Sequence, residues 1–313
     1  INRGLEFYDY KVGGGDSGSS SNGVSLTSWD YYTIGAKQCR MRLEVTDVIS
    51  SANQTPTQIT FSYFADDPDD GNAGAMVTET FTKGGNWPDE DTDEGEVFPF
   101  HVEISASSHY CVGIYIDRLV AYLQSKDGGD LTINNSLAVN CDYVDNGMIS
   151  KPTFPSRGGD IGILLKGTSD ITMFPQGLSM IANMRLIIAD DTNITSTAAP
   201  SGIVLAAGEE YFPPLSLFAP EKRYGDTVTP LRVDVTGQLG SLTKGNNAPN
   251  HIADLKSGAA DSVIADNITA DLKPITHPAA LPPINLMNWM VVIREIHTTY
   301  TPEETEEDQT TGP

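Results

Sequence analysis

Apolar and polar residues alternate along the segment QCRMRLEVTDVIS at residues 38–50. Cys39, Met41, Leu43 and Val45 fall on one side of an extended chain, and the charged and hydroxyl residues between them fall on the other. A period of two places successive side chains on opposite faces, so this pattern predicts a half-buried β-strand. A helix, with its period of 3.6, would mix the two classes on every face.

Comparable strand signals recur along the chain, between loops rich in Gly, Pro and Asp. They lie at residues 57–64, 75–82, 97–105, 110–116, 131–139, 161–166, 180–189, 202–206, 231–235 and 288–298. Helix signals are few: residues 117–125 follow a helical pattern that Asp117 could cap, and residues 253–265 approach one. Because strands and helices do not alternate, we predict an all-β protein, a jelly-roll β-sandwich with few short helices.

A short motif, M-R-L-x-x-x-D, occurs twice, at residues 41–47 and 184–190. Each copy is followed by a polar loop that contains an Asn-x-Thr triplet. The similarity indicates an internal duplication. It predicts two jelly rolls in one chain, the first at residues 25–172 and the second at residues 173–300.

The two ends of the chain differ from this strand-rich centre. Residues 1–24 contain the Gly/Ser tract VGGGDSGSSSNG, which predicts a flexible arm because it offers nothing to a core. Residues 301–313, TPEETEEDQTTGP, are acidic and lack aliphatic and aromatic side chains, which predicts a solvated tail.

The charge balance excludes one class of partner. The chain carries 19 Lys and Arg against 42 Asp and Glu, a net charge of −23. Nucleic-acid binders neutralise phosphates with clustered Lys and Arg, and no such cluster is present in the sequence, so we expect no direct nucleic-acid binding. The longest apolar runs, such as residues 286–293, are much shorter than the ~20 residues of a membrane-spanning helix.

Two acidic loops are candidate Ca²⁺ sites, because calcium takes six to eight oxygen ligands and clustered carboxylates in a turn can supply several. The candidate ligands are Asp66, Asp67, Asp69 and Asp70 in the first loop and Asp89, Asp91 and Asp93 in the second. The second loop departs from the EF-hand pattern at Glu94, where Gly is needed, and at Phe100, where a bidentate Glu belongs. The alternative interpretation is a pair of solvated acidic loops, and we expect no other cofactor.

No catalytic constellation emerges, and we predict that the chain is not an enzyme. Gly15-Asp16-Ser17-Gly18 matches the nucleophile tetrapeptide of chymotrypsin-like proteases, but every histidine lies downstream of Ser17. The histidines form no metal-binding spacing. The three cysteines, Cys39, Cys111 and Cys141, lie in or beside apolar runs, which indicates buried free thiols; one disulfide with a spare thiol is the alternative.

Two further patterns point to carbohydrate. Asn-x-Ser/Thr triplets, the acceptors of N-glycosylation, begin at Asn53, Asn134, Asn193 and Asn267. The aromatic segment at residues 29–32, WDYY, could line a carbohydrate groove. Anchoring of the core or of a loop by these aromatic residues is the alternative.

In size, strand number and apparent duplication, the chain resembles the major capsid proteins of membrane-containing icosahedral phages, which place two jelly rolls in one chain. That resemblance is one of architecture and includes no diagnostic motif. It implies a structural shell subunit of the virion that assembles into trimers with copies of itself, contacts other shell proteins and lies near a membrane without spanning it. The alternative is a secreted or cell-surface adhesin or carbohydrate-binding β-sandwich, and a secreted hydrolase is a third hypothesis.

Overall fold

The structure is a computed structural model that describes residues 39–49, 54–66, 73–105, 110–141, 161–219, 221–225, 231–241 and 268–273. Within these residues the chain forms a seven-stranded sheet, a five-stranded sheet, a separate pair of strands and two short helices. The predicted all-β class is confirmed. The expected arm at residues 1–24 and tail at residues 301–313 lie outside the described residues.

The elements are numbered here in chain order. The strands are β1 (Met41–Ile49), β2 (Thr55–Asp66), β3 (Ala73–Thr82), β4 (Phe100–Ile104), β5 (Tyr110–Tyr115), β6 (Ser136–Cys141), β7 (Gly162–Lys166), β8 (Leu178–Ala182), β9 (Arg185–Ile188), β10 (Leu215–Ala219), β11 (Lys222–Tyr224), β12 (Leu231–Thr236), β13 (Gln238–Ser241) and β14 (Ile268–Lys273). The helices are α1 (Asp93–Val97) and α2 (Ile116–Ser125).

From β5 onward the chain winds between the two large sheets. The seven-stranded sheet has the order β13-β10-β8-β6-β1-β2-β3, and the five-stranded sheet has the order β11-β9-β7-β5-β4. Strands β5, β7, β9 and β11 pair parallel in one sheet, and β6, β8, β10 and β13 pair parallel in the other. Each return to a sheet therefore adds one strand beside the previous one, which is the stacking of coils found in β-helix solenoids.

A third side of the coil is formed near Thr192 and β12. Thr192 makes a parallel bridge with Val235 of β12, and β12 pairs parallel with β14. The hydroxyls of Thr168 and Thr192, which lie on successive turns of the chain, are 2.7 Å apart and buried. Backbone and side-chain hydrogen bonds thus connect adjacent coils on this side also.

The interior of the stack contains columns of apolar side chains, because parallel in-register pairing places equivalent residues above one another. One column consists of Met41, Leu137, Met180, Leu217 and Leu239 from the seven-stranded sheet. The facing column consists of Ile114, Leu165, Ile188 and Tyr224 from the five-stranded sheet. All these residues are buried in one core cluster, so both sheets share a single hydrophobic core.

The N-terminal end of the stack is built differently. Strands β1, β2 and β3 pair antiparallel and extend the seven-stranded sheet, and β4 pairs antiparallel with β5. Helix α2 packs beside them through Ile116, Leu119, Val120 and Leu123, which are buried and recur at helical spacing. The predicted helix at residues 117–125 is thereby confirmed, and Asp117 lies in its first turn instead of capping it.

Two residues with positive φ form corners of the coil. Asn193 has φ 54°, is fully buried, and donates its side-chain amide to the carbonyl oxygens of Pro213 at 2.8 Å and Thr236 at 2.7 Å. Gly177 has φ +85°, and a Cβ there would lie 2.0 Å from the carbonyl oxygen of Pro214. Only glycine fits that corner, because a side chain would be both strained and in collision with the next coil.

A buried ion triad lies on the outer side of the five-stranded sheet. The Arg185 Nε lies 3.3 Å from one carboxylate oxygen of Glu221, and the Arg223 Nη2 lies 2.6 Å from the other. All three side chains are at most 3% exposed. Each guanidinium thus binds one oxygen of the same carboxylate, and Glu221 holds β9 and β11 together in addition to their backbone ladder.

The strand pairing differs from the expected jelly rolls. Jelly rolls belong to the antiparallel all-β architectures, whereas the strands that follow β4 pair parallel with one another throughout the described residues. The difference could not be seen in the sequence, because one period-two strand pattern serves both kinds of pairing. The predicted boundary between residues 172 and 173 falls between strands that pair with each other, β6 with β8 and β7 with β9.

The M-R-L-x-x-x-D motif does not mark equivalent strands. Its first copy lies in β1 of the seven-stranded sheet, and its second lies at β9 of the five-stranded sheet. The predicted strand at residues 180–189 is two strands, β8 and β9, which belong to different sheets and are separated by Asn183 and Met184 at a corner of the coil. The predicted strand at residues 202–206 is an irregular loop.

Candidate functional site

The first acidic loop falls mostly outside the described residues. Asp67, Asp69 and Asp70 lie in the segment that the structure does not describe. Asp66 ends β2, where its carboxylate accepts the backbone N–H of Asp130 at 2.9 Å. This carboxylate connects β2 to the loop that leads into β6.

The second acidic loop surrounds a pocket of about 370 Å³ next to β4. Its lining residues are Lys83, Trp87, Pro88, Asp89, Glu90, Asp91, Thr92, His101 and Val102. The sequence-predicted residues Asp89 and Asp91 are among them, while Asp93 lies in the first turn of α1. Within the described ranges, no group of three or more His, Cys, Asp or Glu residues is placed to hold a metal ion.

The acidic loop is shaped by a short capped helix. The Thr92 side chain caps α1 by accepting the Gly95 N–H at 3.0 Å, and its hydroxyl donates to the carbonyl of Asp89 at 2.7 Å. Gly95 has no room for a Cβ, which would lie 2.0 Å from the same Asp89 carbonyl oxygen. On the rim of the pocket, Lys83 Nζ lies 3.6 Å from the Asp89 carboxylate, an exposed pair of little energetic weight.

The aromatic side chains of the pocket serve as anchors. The Trp87 indole N–H donates to the carbonyl of Phe100 at 2.8 Å, and the ring is buried. His101 is 2% exposed, and its Nε2 lies 2.9 Å from the carbonyl oxygen of Phe98. Burial lowers the pKa of His101, so the neutral ring, with Nε2 as the donor, is the stable form at neutral pH.

A polar cluster that the sequence analysis did not find lies behind this pocket. The Tyr115 hydroxyl donates to the Glu103 carboxylate, and Lys166 Nζ lies 3.4 Å from that carboxylate and 3.3 Å from the hydroxyl. The Arg118 guanidinium stacks 3.9 Å from the centre of the Tyr115 ring, and His101 meets the ring edge-on. The members come from β4, β5, β7 and α2, so no local motif could have indicated the cluster.

The proton affinities in this cluster favour a structural role. Burial and the hydrogen bond to Glu103 raise the pKa of Tyr115 to about 12. Burial lowers the pKa of Lys166, but the Glu103 carboxylate and the Tyr115 hydroxyl raise it by more, and the net shift is upward. The lysine therefore stays charged and the phenol stays neutral around pH 7, and neither is poised for acid–base catalysis.

Uncharged polar side chains cover the outer side of β2 and β3, while the same face of β1 also carries Arg42 and Glu44, paired with Ser62 and Thr60. The uncharged set, which we call the neutral face, consists of Thr46, Gln58, Thr60, Ser62, Thr78, Thr80 and Thr82. Its side chains hydrogen-bond in rows across the strands: Thr46 to Gln58 to Thr82 at 2.9 and 3.0 Å, then Thr60 with Thr80 at 3.3 Å and Ser62 with Thr78 at 2.9 Å. Such cross-strand hydroxyl pairs stabilise the sheet, and the row on β3, at the edge of this face, carries no charged side chain.

The cysteines behave as their apolar surroundings predict. Cys39, Cys111 and Cys141 are buried free thiols, which confirms that interpretation over a disulfide with a spare thiol. Burial raises the pKa of the Cys39 and Cys111 thiols, that of Cys111 to about 12. Neither thiol provides a nucleophilic thiolate near neutral pH.

Two of the four Asn-x-Ser/Thr triplets begin at buried asparagines. Asn134 donates its amide to the carbonyls of Phe64 at 2.7 Å and Gly128 at 2.9 Å, and Asn193 forms the corner contacts described above. Both side chains are inaccessible to glycosylation in the folded chain. The triplets at Asn53 and Asn267, the tetrapeptide at Ser17 and the aromatic segment at residues 29–32 lie outside the described residues.

Comparisons with known proteins return no match: no family model, no curated protein and no solved structure is similar to this chain. Among the residues that the structure describes, no helix has the length and apolar character needed to cross a membrane.

Proposed function

We propose that the chain is a structural subunit of the outer shell of a virus particle and that it assembles with copies of itself. The observation that carries this proposal is the β3 row of the neutral face, which is exposed and uncharged at the edge of a sheet in a chain of net charge −23. Copies of so acidic a protein repel one another, so close self-association requires a surface on which like charges do not meet. The neutral face offers such a surface.

The construction of the stack supports a load-carrying role. Both the backbone ladders and the buried polar side chains connect one coil to the next, as in the triad of Arg185, Glu221 and Arg223. The Glu103, Tyr115 and Lys166 side chains likewise satisfy one another. Polar groups that are committed to internal contacts rigidify a scaffold and are not available to a substrate.

This proposal no longer depends on the resemblance to double jelly-roll capsid proteins, because the described strands pair in a different way. Trimeric assembly, contact with other shell proteins and a position over a membrane remain predictions of that resemblance. We place the protein in the virion and give it no enzymatic activity and no cofactor. These assignments are parts of the same proposal.

The size of the purified chain in solution tests the proposal. We expect light scattering and analytical ultracentrifugation to show oligomers whose population grows with protein concentration. Added salt should favour them, because the Debye length falls from about 10 Å at 0.1 M to about 3 Å at 1 M and the mutual repulsion of acidic copies is screened. A chain that stays monomeric across the whole range of concentration and salt contradicts self-assembly.

A second candidate function is that of a cell-surface or extracellular adhesin that binds carbohydrate. The pocket beside β4 favours it, because the acidic rim supplies hydrogen-bond acceptors for sugar hydroxyls next to the Lys83 ammonium. A monomer that binds glycans on an array, and loses the binding on substitution of Asp91, would favour this function over the shell. Assembly without glycan binding would exclude it.

A further inference from the structure

Strand β3 forms one edge of the seven-stranded sheet in the described part of the chain. The Lys83 N–H, just past β3, donates to the carbonyl of Thr57, toward β2. Backbone groups of successive residues in a strand point in opposite directions, so those of Thr82, Thr80, Thr78 and Met76 point away from β2. These four residues therefore supply the backbone donors and acceptors on the outer edge of β3.

One end of this row is already occupied. The side chain of Asn86 accepts the Thr82 N–H at 2.9 Å and donates to the Thr80 carbonyl at 2.8 Å. The Thr82 carbonyl accepts the N–H groups of Gly85 and Trp87. Within the described residues, no such partner binds the outward groups of Met76 and Thr78, whose side chains are exposed, Met76 to 50%. An open row of backbone donors and acceptors is a template for another strand.

We infer that β3 pairs antiparallel with β3 of a second copy of this chain, about a two-fold axis at Thr78. The inference rests on the proposed self-assembly and names the surface that performs it. In this register Thr78 faces Thr78 of the second copy, and Met76 faces Thr80, whose carbonyl has a second lone pair besides the one that binds Asn86. A two-fold contact of this kind uses the same patch on both partners, and it joins the two seven-stranded sheets into one continuous sheet.

The side chains fit this register on both faces of the sheet. On the neutral face, threonine meets threonine, a favourable cross-strand pair, and the exposed Met76 gains a neighbour. On the opposite face, Glu79 comes to lie across from Val77 and not across from the second Glu79. Each Glu79 also has its own cation, since Lys126 Nζ lies 3.3 Å from its carboxylate. Two acidic chains can therefore approach here without placing like charges opposite each other.

The two-fold registers centred on the adjacent outward-pointing residues, Thr80 and Met76, are less favourable. An axis at Thr80 would require the outward groups of Thr82, which already bind Asn86 and the turn after β3. An axis at Met76 would shorten the paired region, because β3 begins at Ala73. The axis at Thr78 avoids both limits and places the open backbone groups of the two Thr78 residues opposite each other.

Disulfide trapping tests the register directly. Residues that face each other in a hydrogen-bonded antiparallel pair have Cα atoms about 5.5 Å apart. That distance lies within the disulfide range of about 4.4–6.8 Å. The T78C variant should therefore form a covalent dimer on mild oxidation. The native thiols do not interfere, because all three are buried.

The matched control is T80C on the same exposed row. In the proposed register the two substituted positions lie four residues apart along the strand direction, about 14 Å at about 3.4 Å per residue, which is too far for a disulfide. We expect a dimer band for T78C and none for T80C. Equal trapping of both variants, or of neither while the wild-type chain assembles, would overturn the register and leave the proposed self-assembly standing.

Charge substitution provides a second measurement that needs no oxidation. T78D places two carboxylates opposite each other at the axis, whereas T78N keeps the shape without the charge. We expect T78D to raise the dissociation constant of the dimer by about tenfold or more, because like charges that face each other across an interface are strongly unfavourable. T78N should change it little. Equal dissociation constants for the two variants refute the inference, and a wild-type chain that is monomeric throughout refutes both the inference and the proposed self-assembly.

Discussion

Replacing Asn193 by alanine tests whether buried side chains hold adjacent coils together. Asn193 is fully buried at a corner, with φ 54°. Its amide donates to the carbonyls of Pro213 at 2.8 Å and Thr236 at 2.7 Å, and its backbone N–H donates to Thr168 at 2.7 Å. Asn193 thus connects the coil that contains Thr168 to the later coil segments that contain Pro213 and Thr236.

The expected magnitude follows from these contacts. The alanine variant loses two buried hydrogen bonds, at about 1–1.5 kcal/mol each. A side chain without local hydrogen bonds also pays about 1 kcal/mol in the left-handed region. We therefore expect N193A to reduce the free energy of unfolding by about 3–4 kcal/mol. N193G loses the same hydrogen bonds but not the left-handed penalty, so its loss should be smaller by about 1 kcal/mol.

Urea unfolding followed by circular dichroism measures both losses. S201A is the control, because Ser201 lies in an exposed turn and should leave the free energy of unfolding unchanged within about 0.5 kcal/mol. N193D completes the series: a carboxylate cannot donate to two carbonyls, so this variant should be the least stable of the three at neutral pH. If N193A and N193G both match S201A, the corner does not hold the coils together and the assignment of these hydrogen bonds is refuted.

Three further substitutions probe other parts of the stack. E221Q should lower the free energy of unfolding, measured by urea titration, by about 3–5 kcal/mol, because it leaves two buried guanidiniums facing a neutral amide. A loss below about 1 kcal/mol would contradict the stabilising role of the triad. G177A should lower the melting temperature far more than G202A. Both glycines have positive φ, but only at Gly177 would a Cβ collide with a carbonyl oxygen, that of Pro214. Equal changes in melting temperature for the two variants would contradict this. The lowered pKa of His101 means that the unfolded chain binds a proton more readily than the folded one, so stability should fall as pH drops from about 6.5 through the folded pKa. H101Q should flatten that part of the pH–stability curve, and an unchanged slope would show that His101 is not its source.

Local patterns correctly predicted the elements whose residues carry their own signal. The alternation at residues 38–50 became β1, and the apolar spacing within α2 became its buried side. The free state of Cys39, Cys111 and Cys141 was also predictable, because their apolar neighbours place them in the core. These properties depend on residues close in sequence, which is why a single sequence determines them.

Pairing depends on residues far apart in sequence, and only the tertiary structure decided it. The apolar pattern of the segment that contains β8 and β9 predicts one strand. In the structure the chain turns at Asn183 and Met184, so that β8 and β9 lie in different sheets. The cluster of Glu103, Tyr115 and Lys166 shares no motif, because its members meet only when β4, β5 and β7 lie side by side.

The same division holds for the functional surface. The sequence alone determined that the chain is all-β, strongly acidic and poor in basic clusters, since composition and period-two alternation express these properties directly. The parallel stacking of coils and the neutral face arise from the register between strands. Similar strands can be aligned in many registers, and each register buries a different set of side chains. The observed register is the one that buries the apolar side chains of both sheets in the shared core.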